Sequence, residues 1–321
     1  MDEWLRDYRD YRESHGFSIV NIKGTINTFV NWCHRHYPDE LYLTQEMIDA
    51  WSVKHDKEED VTLQSRRRQV NDFIRHMNLR GEEFLEIECV WDLQSPPPRL
   101  ITEEEFRNVL RAADEMELCD PRKAKYKASL ILALQMPVII RLMYSAGPRP
   151  QEIRYMDRQD VDLENGLIYI RKGKGYKERL IAIDWKVNEM LKEYDRKMQE
   201  IMPGCKPFFP NDKGQYCSTS RISNAWRKIC DKYNKDTQPV NGKLGLVIYT
   251  LRHLYVTRNI EQLPQNGWEK DIRLLAISRS AGHVNINTTI KHYYHLTARS
   301  GDLLEEKMGD TLDSIIPDIE D

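Results

Sequence analysis

The chain has 321 residues, of which 40% are hydrophobic and 31% are charged, as in ordinary globular proteins. No apolar run in the sequence approaches the roughly 20 residues of a membrane span, and the acidic start of the chain is unlike a signal peptide. The six cysteines form no Cys-x-x-Cys pair, which disfavours a zinc site and a disulfide framework and indicates reduced thiols in a cytoplasm.

The net charge of −3 is distributed unevenly along the chain. Residues 1–100 hold 13 basic and 19 acidic residues, and residues 301–321 hold one basic and eight acidic residues. Residues 101–300 hold 34 basic and 24 acidic residues, an excess of ten positive charges. This excess favours a phosphate-binding face in the middle segment, although a solvated mixture of charges would have the same composition.

The first 94 residues are predicted to form four or five helices. Apolar residues recur there at three- and four-residue spacing, over residues 4–11, 19–37, 43–53 and 61–77. Three consecutive arginines, Arg66, Arg67 and Arg68, lie on the last of these helices. They are either a solvated turn of helix or contacts to a DNA backbone, and the acidity of the segment weakens the second interpretation.

A proline-rich stretch at residues 95–99 separates this segment from the rest of the chain. Its Ser-Pro-Pro-Pro-Arg sequence cannot be helical, so we expect an extended linker. Thr102 and Glu105 then have the spacing of a capping box, which predicts the start of a new helix. A long apolar helix is predicted over residues 124–146, and it ends at Gly147.

Two short strands are predicted over residues 167–171 and 178–183, joined by a tip rich in glycine and lysine. Such a tip can bring an ammonium group to a phosphate, although solvated lysines are the commoner case. The full Gly-x-x-x-x-Gly-Lys-Ser/Thr pattern is missing, so we do not expect an ATP-binding loop. Further helices are predicted over residues 184–201, 219–233, 250–262, 268–281 and about 286–296.

Polar residues that suit phosphate chemistry follow one another between residues 146 and 295. They are Arg149 in a Gly-x-Arg-x-x-Glu sequence, a lysine at the hairpin tip, Arg252 in Leu-Arg-His, His283 after a glycine, and tyrosines about ten residues later. A guanidinium forks onto phosphate oxygens, an imidazole is a second donor, and a phenol can be covalently phosphorylated. Together these groups are what the cleavage of a phosphodiester without metal requires.

This order of motifs resembles the tyrosine recombinase (phage integrase) family over residues 101–298. The resemblance implies a mainly α fold with a small β-hairpin or sheet (α+β), arranged as a two-domain clamp. The implied parts are a helical core-binding domain at 1–94, a proline-rich linker at 95–101, a catalytic domain at 102–298 and an acidic amphipathic tail at 299–321.

The resemblance also implies the catalytic residues. Arg149 and Arg252 would hold the non-bridging oxygens of the scissile phosphate. Lys174 would protonate the leaving 5′-oxygen, and His283 would bond a phosphate oxygen or help to take the phenol proton. Tyr249 stands where the family usually has a histidine, which leaves its role open.

The implied nucleophile is one of two adjacent tyrosines. The family usually spaces its tyrosine nine residues after the Gly-His histidine, where this chain has His292. The family's frequent Tyr-x-His ending matches residues 293–295, so we predict Tyr293, with Tyr294 as the alternative.

Several neighbouring residues receive lesser roles. Glu152 and Asp160 are expected to buttress Arg149 and the following turn, and His253 either lines the site or packs beside it. Candidates for contact with the DNA backbone are Arg66, Arg67, Arg68, Lys172 and Lys177.

The function implied by the resemblance is that of a DNA strand transferase: a site-specific recombinase of the integrase or transposase type. It would cleave and rejoin strands through a 3′-phosphotyrosyl link without ATP, metal or other cofactor. Its main partner would be double-stranded DNA, on which it would form a homo-tetramer whose protomers exchange tails. An accessory directionality protein is a further expected partner, and no association with a membrane is expected. If the tail does not dock on a neighbouring protomer, we expect it to pack on its own chain. A cytoplasmic protein of bacterial, phage or mobile-element origin is implied.

Three alternatives remain open from the sequence. A type IB topoisomerase-like enzyme would share the cleavage step but relax a single duplex without partners. A DNA-binding relative without catalysis would keep the fold, but the complete Arg, Lys, Arg, His and Tyr positions disfavour it. A helical adaptor would explain the acidic N-terminal segment but not the hairpin and the motifs together.

Overall fold

The computed structural model describes residues 1–17, 19, 22–91, 99, 101–171, 178–234, 246–263 and 268–282. The chain divides into two compact units, Met1–Pro96 and Pro97–Asp321. The helix predicted over 286–296 and the acidic tail lie outside the described residues.

The first unit contains four α-helices in its described part, as the apolar spacing predicts. They are α1 (Asp2–Ser14), α2 (Asn27–His36), α3 (Gln45–Ser52) and α4 (Asp60–Asn78). A π-helical turn, Ile22–Ile26, leads into α2. The apolar faces of these elements share one core, in which Phe29, Met47 and Ile74 are fully buried.

Arg66 on α4 is part of the interior of this unit. Its Nε and Nη2 atoms each lie 2.9 Å from a carboxylate oxygen of Glu58. The guanidinium also donates to the backbone carbonyl groups of Trp51 and Val53. The prediction that Arg66 contacts a DNA backbone is therefore wrong, because its guanidinium is buried and holds the turn between α3 and α4.

Arg67 and Arg68 are half-buried, and they also donate to backbone carbonyl groups. Arg67 bonds the carbonyl of Ser52 at 2.8 Å and 3.0 Å, and Arg68 bonds that of Val90 at 3.0 Å. For these two arginines a DNA contact stays a prediction.

The second unit is mainly helical around one small sheet. Its helices are α5 (Glu103–Asp114), α6 (Tyr126–Ala146), α7 (Pro150–Arg154), α8 (Trp185–Ile201), α9 (Thr219–Tyr233), α10 (Thr250–Glu261) and α11 (Trp268–Ala281). Its antiparallel sheet has the order β1 (Val161–Asp162), β2 (Leu167–Ile170) and β3 (Arg179–Ala182). The predicted class, mainly α with a small sheet, is confirmed. Strand β1 was not predicted, because two residues carry no alternation.

Local sequence sets the start of α5 and the end of α6. The Thr102 side chain accepts a bond from the Glu105 backbone at 3.2 Å, and the Glu105 carboxylate accepts one from the Thr102 backbone at 2.9 Å. Helix α6 ends at Gly147, whose φ of 65° is left-handed. A Cβ at Gly147 would lie 2.2 Å from Cδ1 of Tyr255, so glycine is required there by both conformation and space.

Helix α6 is the central helix of the second unit and packs against α5, α8, α9 and α10. It has the length and apolar composition of a membrane span, and it is the one helix in the described part of the chain that has both. The expectation that no apolar run approaches that length is therefore wrong. Nine residues of α6 are buried, among them Gln135, which donates to the Pro210 carbonyl at 2.7 Å. The apolar character of α6 is thus used to form the core.

Candidate active site

Three segments that are distant in sequence meet at the last turn of α11. The final carbonyl groups of an α-helix lack partners within the helix and carry the negative end of its dipole. Arg179 donates from Nε to the carbonyl of residue 280 at 2.9 Å, Arg252 donates to that of residue 281, and Arg149 donates to that of residue 282 at 2.6 Å. Three consecutive carbonyl groups therefore bind three different arginines.

Hydrogen bonds hold both the backbone and the guanidinium of Arg149. It is the N-cap of α7, and its backbone N–H donates to Oε2 of Glu152 at 2.7 Å. Its Nη1 donates to Oε1 of the same carboxylate at 2.8 Å, while Nη2 reaches the Gly282 carbonyl. The predicted buttressing of Arg149 by Glu152 is confirmed. The side chain of Arg149 is 17% exposed, so part of it is reachable from solvent.

Glu152 also receives a second arginine. Arg179, the first residue of β3, donates from Nη1 to Oε1 at 2.8 Å and from Nη2 to Oε2 at 2.6 Å. Burial alone would raise the pKa of Glu152, but the bonds from Arg179 and Arg149 outweigh burial and lower it. Glu152 is therefore a buried carboxylate that stays ionised between two guanidinium groups.

Arg252 lies deeper than Arg149. It is 2% exposed and donates from Nη1 to the Gly147 carbonyl at 2.7 Å, in addition to its bond to Ala281. Burial lowers the pKa of its guanidinium, and the nearby charge of Arg149 lowers that pKa further. Arg252 thus joins the turn that precedes Arg149 to the end of α11.

The three guanidinium groups are accompanied by one carboxylate. Arg149 and Arg179 share Glu152, while the bonds of Arg252 are to neutral carbonyl groups. Among the described residues, two positive charges therefore remain uncompensated in this partly desolvated cluster, and an anion would be strongly attracted to them.

Tyr249 lies beside this cluster. It is the N-cap of α10, is 38% exposed, and its ring centroid is 6.0 Å from Cζ of Arg252. The ring of His253 packs on it at 5.0 Å between centroids. Tyr249 is thus an exposed phenol next to a predicted phosphate-binding arginine.

Asp160 does not have the expected role. It is buried and accepts a hydrogen bond from Nε of Arg171, directly after β2, rather than from Arg149. The prediction that Asp160 buttresses Arg149 is therefore wrong, and its carboxylate anchors the end of β2 instead.

The remaining predicted site residues belong to segments that the structure does not describe. Lys172, Lys174, Lys177, His283, Tyr293 and Tyr294 lie outside the described residues.

The family model described as the phage integrase family matches residues 99–300 of the chain. The chain belongs to the phage integrase family. This membership confirms the predicted tyrosine recombinase family and the prediction of an enzyme of the DNA strand transferase class.

Individual relatives agree with this assignment. The chain is 26% identical over 320 residues to the integrase/recombinase y4rE of Sinorhizobium fredii, with 95% of this chain and 93% of that protein covered. It is 31% identical over 181 residues to the tyrosine recombinase XerC of Thermodesulfovibrio yellowstonii, with 52% of this chain and 55% of that protein covered. The match to XerC thus spans about half of each protein.

Solved structures show the same fold. The integrase of the Tn1549 transposon, in complex with transposon right-end DNA, superposes with a TM-score of 0.62 at 16% sequence identity. The superposition covers 95% of this chain and 99% of that one. At this identity the likeness concerns the fold.

Arg179 is the site residue that the sequence analysis missed. It shares a face of β3 with Ile181, which is 1% exposed, because alternate residues of a strand point the same way. The sequence signal that could have identified Arg179 is an arginine at an inward-facing position of a predicted strand. Its partners, however, lie 27 and 101 residues away in sequence.

Proposed function

We propose that this protein is a site-specific DNA recombinase that cleaves and rejoins strands through a 3′-phosphotyrosyl link. The observation that carries the proposal is the convergence of Arg149 and Arg252 on the two residues that directly precede His283. This convergence of the two arginine motifs with the residues that lead into His283 supports the proposal of one shared site.

The charge of the site favours a phosphodiester as its ligand. Two uncompensated guanidinium charges suit a group whose non-bridging oxygens carry negative charge and gain more in the transition state. Arg149 bonds Glu152 and the Gly282 carbonyl, and Arg252 bonds the carbonyl groups of Gly147 and Ala281, whereas each guanidinium carries five N–H donors. We propose that further N–H groups of both arginines bind phosphate oxygens. Held in this way, both guanidinium groups are preorganised before DNA binds.

The proposed reaction is a balanced transesterification. The phenol oxygen of Tyr293 (alternatively Tyr294) forms a bond to phosphorus, and the bond from phosphorus to the 5′-oxygen breaks. Lys174 gives a proton to the leaving 5′-oxygen, and His283 bonds a phosphate oxygen or helps to take the phenol proton. A 5′-hydroxyl of a second strand then reverses the step. The phosphodiester energy is kept in the covalent link, so neither ATP nor a metal is needed.

Tyr249 is proposed to donate a hydrogen bond to a phosphate oxygen. It lies beside Arg252, and a phenol can donate as the family's usual histidine does. A phenol is a poorer proton carrier at neutral pH, so we assign Tyr249 no proton transfer.

The proposed partner is double-stranded DNA in the cytoplasm. The protein would bind it as a homo-tetramer whose protomers exchange tails, together with an accessory directionality protein. Residues 1–94 would serve as core-binding domain and residues 102–298 as catalytic domain, joined by the linker at 95–101. The tail at 299–321 would dock on a neighbouring copy. Support comes from relatives named as recombinases and integrases, and from the fold shared with a DNA-bound transposon integrase.

The test begins with DNA that the protein selects from a random duplex pool. Nicked versions of the selected duplex are incubated with the protein in excess EDTA and then denatured. A covalent protein–DNA adduct is expected, whereas binding without an adduct on any nick position would contradict the enzymatic proposal. Strand exchange between two labelled duplexes then separates a recombinase from a topoisomerase-like enzyme, which would only relax supercoiled DNA.

A further inference from the structure

Arg179 has no task in the proposed chemistry, although its guanidinium lies in the same cluster as that of Arg149. All three of its nitrogen atoms donate to the protein: Nε to the Ser280 carbonyl, and Nη1 and Nη2 to the two oxygens of Glu152. Its side chain is 11% exposed. The described contacts therefore direct Arg179 at protein groups rather than at a ligand.

Arg179 and Arg149 divide the carboxylate of Glu152 between them. Oε1 accepts Nη1 of Arg149 and Nη1 of Arg179, both at 2.8 Å. Oε2 accepts the Arg149 backbone N–H at 2.7 Å and Nη2 of Arg179 at 2.6 Å. Since the Glu152 side chain is 2% exposed, its orientation is determined by these four bonds.

The two guanidinium groups also pack on the same glycine. A Cβ built on Gly282 would lie 2.8 Å from Cζ of Arg179 and 3.0 Å from Nη1 of Arg149. The φ of Gly282 is +64°, in the left-handed region. Both arginines can approach the end of α11 this closely because position 282 has no side chain.

We infer that Arg179 is a positioning residue for Arg149. Arg149 is bonded to Glu152 and to the Gly282 carbonyl, and Arg179 holds both groups. It holds Glu152 directly, and it holds Gly282 through the Ser280 carbonyl two residues earlier. The inference rests on the proposed function, because Arg149 matters there as a ligand of the scissile phosphate.

A lysine cannot replace Arg179 in this role. The ammonium group is a single point, whereas the planar guanidinium reaches both Glu152 oxygens and the Ser280 carbonyl at once. Arg179→Lys keeps the positive charge beside the buried carboxylate and thus preserves folding better than alanine does. The lysine variant therefore separates positioning from stability.

The test is a double-mutant cycle on cleavage. Single-turnover rates are measured on the nicked duplex selected by the protein, for wild type, Arg149→Ala, Arg179→Ala and the variant that carries both arginine substitutions. A variant that carries both Tyr293→Phe and Tyr294→Phe defines the background. We expect about a 100-fold loss or more for Arg149→Ala and at least about a 10-fold loss for Arg179→Ala. The double arginine variant should be no more than about 3-fold slower than Arg149→Ala, because Arg179 acts through Arg149.

Two further variants complete the design. Arg179→Lys should melt near the wild-type temperature yet stay at least about 10-fold slower in cleavage. Arg141→Ala is the matched control, because Arg141 makes a bidentate pair with Asp114 in the same unit, with bonds of 2.8 Å and 2.7 Å, and neither residue belongs to the proposed site. Its cleavage rate should stay within about 3-fold of wild type.

The outcomes separate this inference from the proposed function. Multiplicative losses in the double arginine variant, or a wild-type rate for Arg179→Lys, would overturn the positioning role while leaving recombinase chemistry intact. No cleavage by the wild-type protein on any selected duplex would instead refute the proposed function, and the inference with it.

Discussion

Arg149 and Arg252 donate to two consecutive carbonyl groups at the end of α11, those of Gly282 and Ala281. Because both bonds are made to one turn of backbone, that turn sets the spacing of the two guanidinium groups. The same turn leads directly into His283. The geometry of the proposed phosphate site therefore depends on how α11 ends.

Replacing Arg252 should cost more stability than replacing Arg149. Arg252→Ala leaves the carbonyl groups of Gly147 and Ala281 buried without their donor, at a cost of about 1–3 kcal/mol for each unsatisfied group. Arg149→Ala should cost less, because Arg149 is more exposed and Glu152 keeps Arg179. Urea unfolding of both variants measures the difference, and equal losses would argue against the deeper role of Arg252.

Gly147→Ala should destabilise the second unit severely. The new Cβ would meet the Tyr255 ring at 2.2 Å, and the φ of 65° is strained for alanine. Gly166→Ala is the matched control, since its φ is +66° but its nearest neighbour would be 3.6 Å away. We expect a loss of about 1 kcal/mol for the control and several times more for Gly147→Ala. Similar melting temperatures for the two variants would contradict the packing of Tyr255 on Gly147.

The buried pair in the first unit should make stability depend on pH. The hydrogen bonds from Arg66 lower the pKa of Glu58 from 4.5 to about 2. A carboxylate with a lowered folded-state pKa stabilises the fold above its unfolded pKa, and this stabilisation disappears as the pH falls through the folded value. Glu58→Gln should therefore be less stable than wild type by about 1–3 kcal/mol at pH 7.

The difference between wild type and Glu58→Gln should shrink as the pH falls from about 5 to about 2. Denaturant unfolding at several pH values measures it. Glu200→Gln provides a control, because Glu200 is an exposed partner of Arg196 and should make little difference at any pH. A difference for Glu58→Gln that is constant with pH would contradict the assigned ionisation.

Arg66 should contribute to stability and not to DNA binding. Each arginine that neutralises a DNA phosphate adds about 0.9 to the slope of log affinity against log salt concentration. Arg66→Ala should lower the melting temperature but leave this slope unchanged, as measured on selected duplex DNA at a temperature where the variant is folded. A slope reduced by about 0.9 would instead show that Arg66 contacts a DNA phosphate, and it would contradict the structural role of the buried guanidinium.

The parts of the fold that depend on near neighbours in sequence were predictable. The capping box of Thr102 and Glu105, the left-handed Gly147 at the end of α6, and the strands β2 and β3 all follow from patterns a few residues long. The same holds for the motifs around Arg149 and Arg252, whose chemistry can be recognised from residue types and order.

The parts that depend on long-range contacts were not predictable. Arg66 has the sequence context of an exposed basic turn, but its burial is decided by carbonyl groups 13 and 15 residues earlier. Arg179 resembles an ordinary strand residue until the end of α11 packs against it. The apolar surface of α6 likewise has the composition of a membrane helix until its neighbours in the core are known.

The most direct measurement is the mapping of the covalent adduct by peptide mass spectrometry. Wild-type protein, Tyr293→Phe and Tyr294→Phe are each incubated with nicked duplexes of the selected DNA, denatured and digested. A DNA-linked peptide attached through Tyr293, lost in Tyr293→Phe and kept in Tyr294→Phe, is the predicted result. Linkage through Tyr294 would keep the chemistry and correct the nucleophile. The absence of any adduct from protein that binds the same duplexes would contradict the account of this chain as a strand-cleaving enzyme.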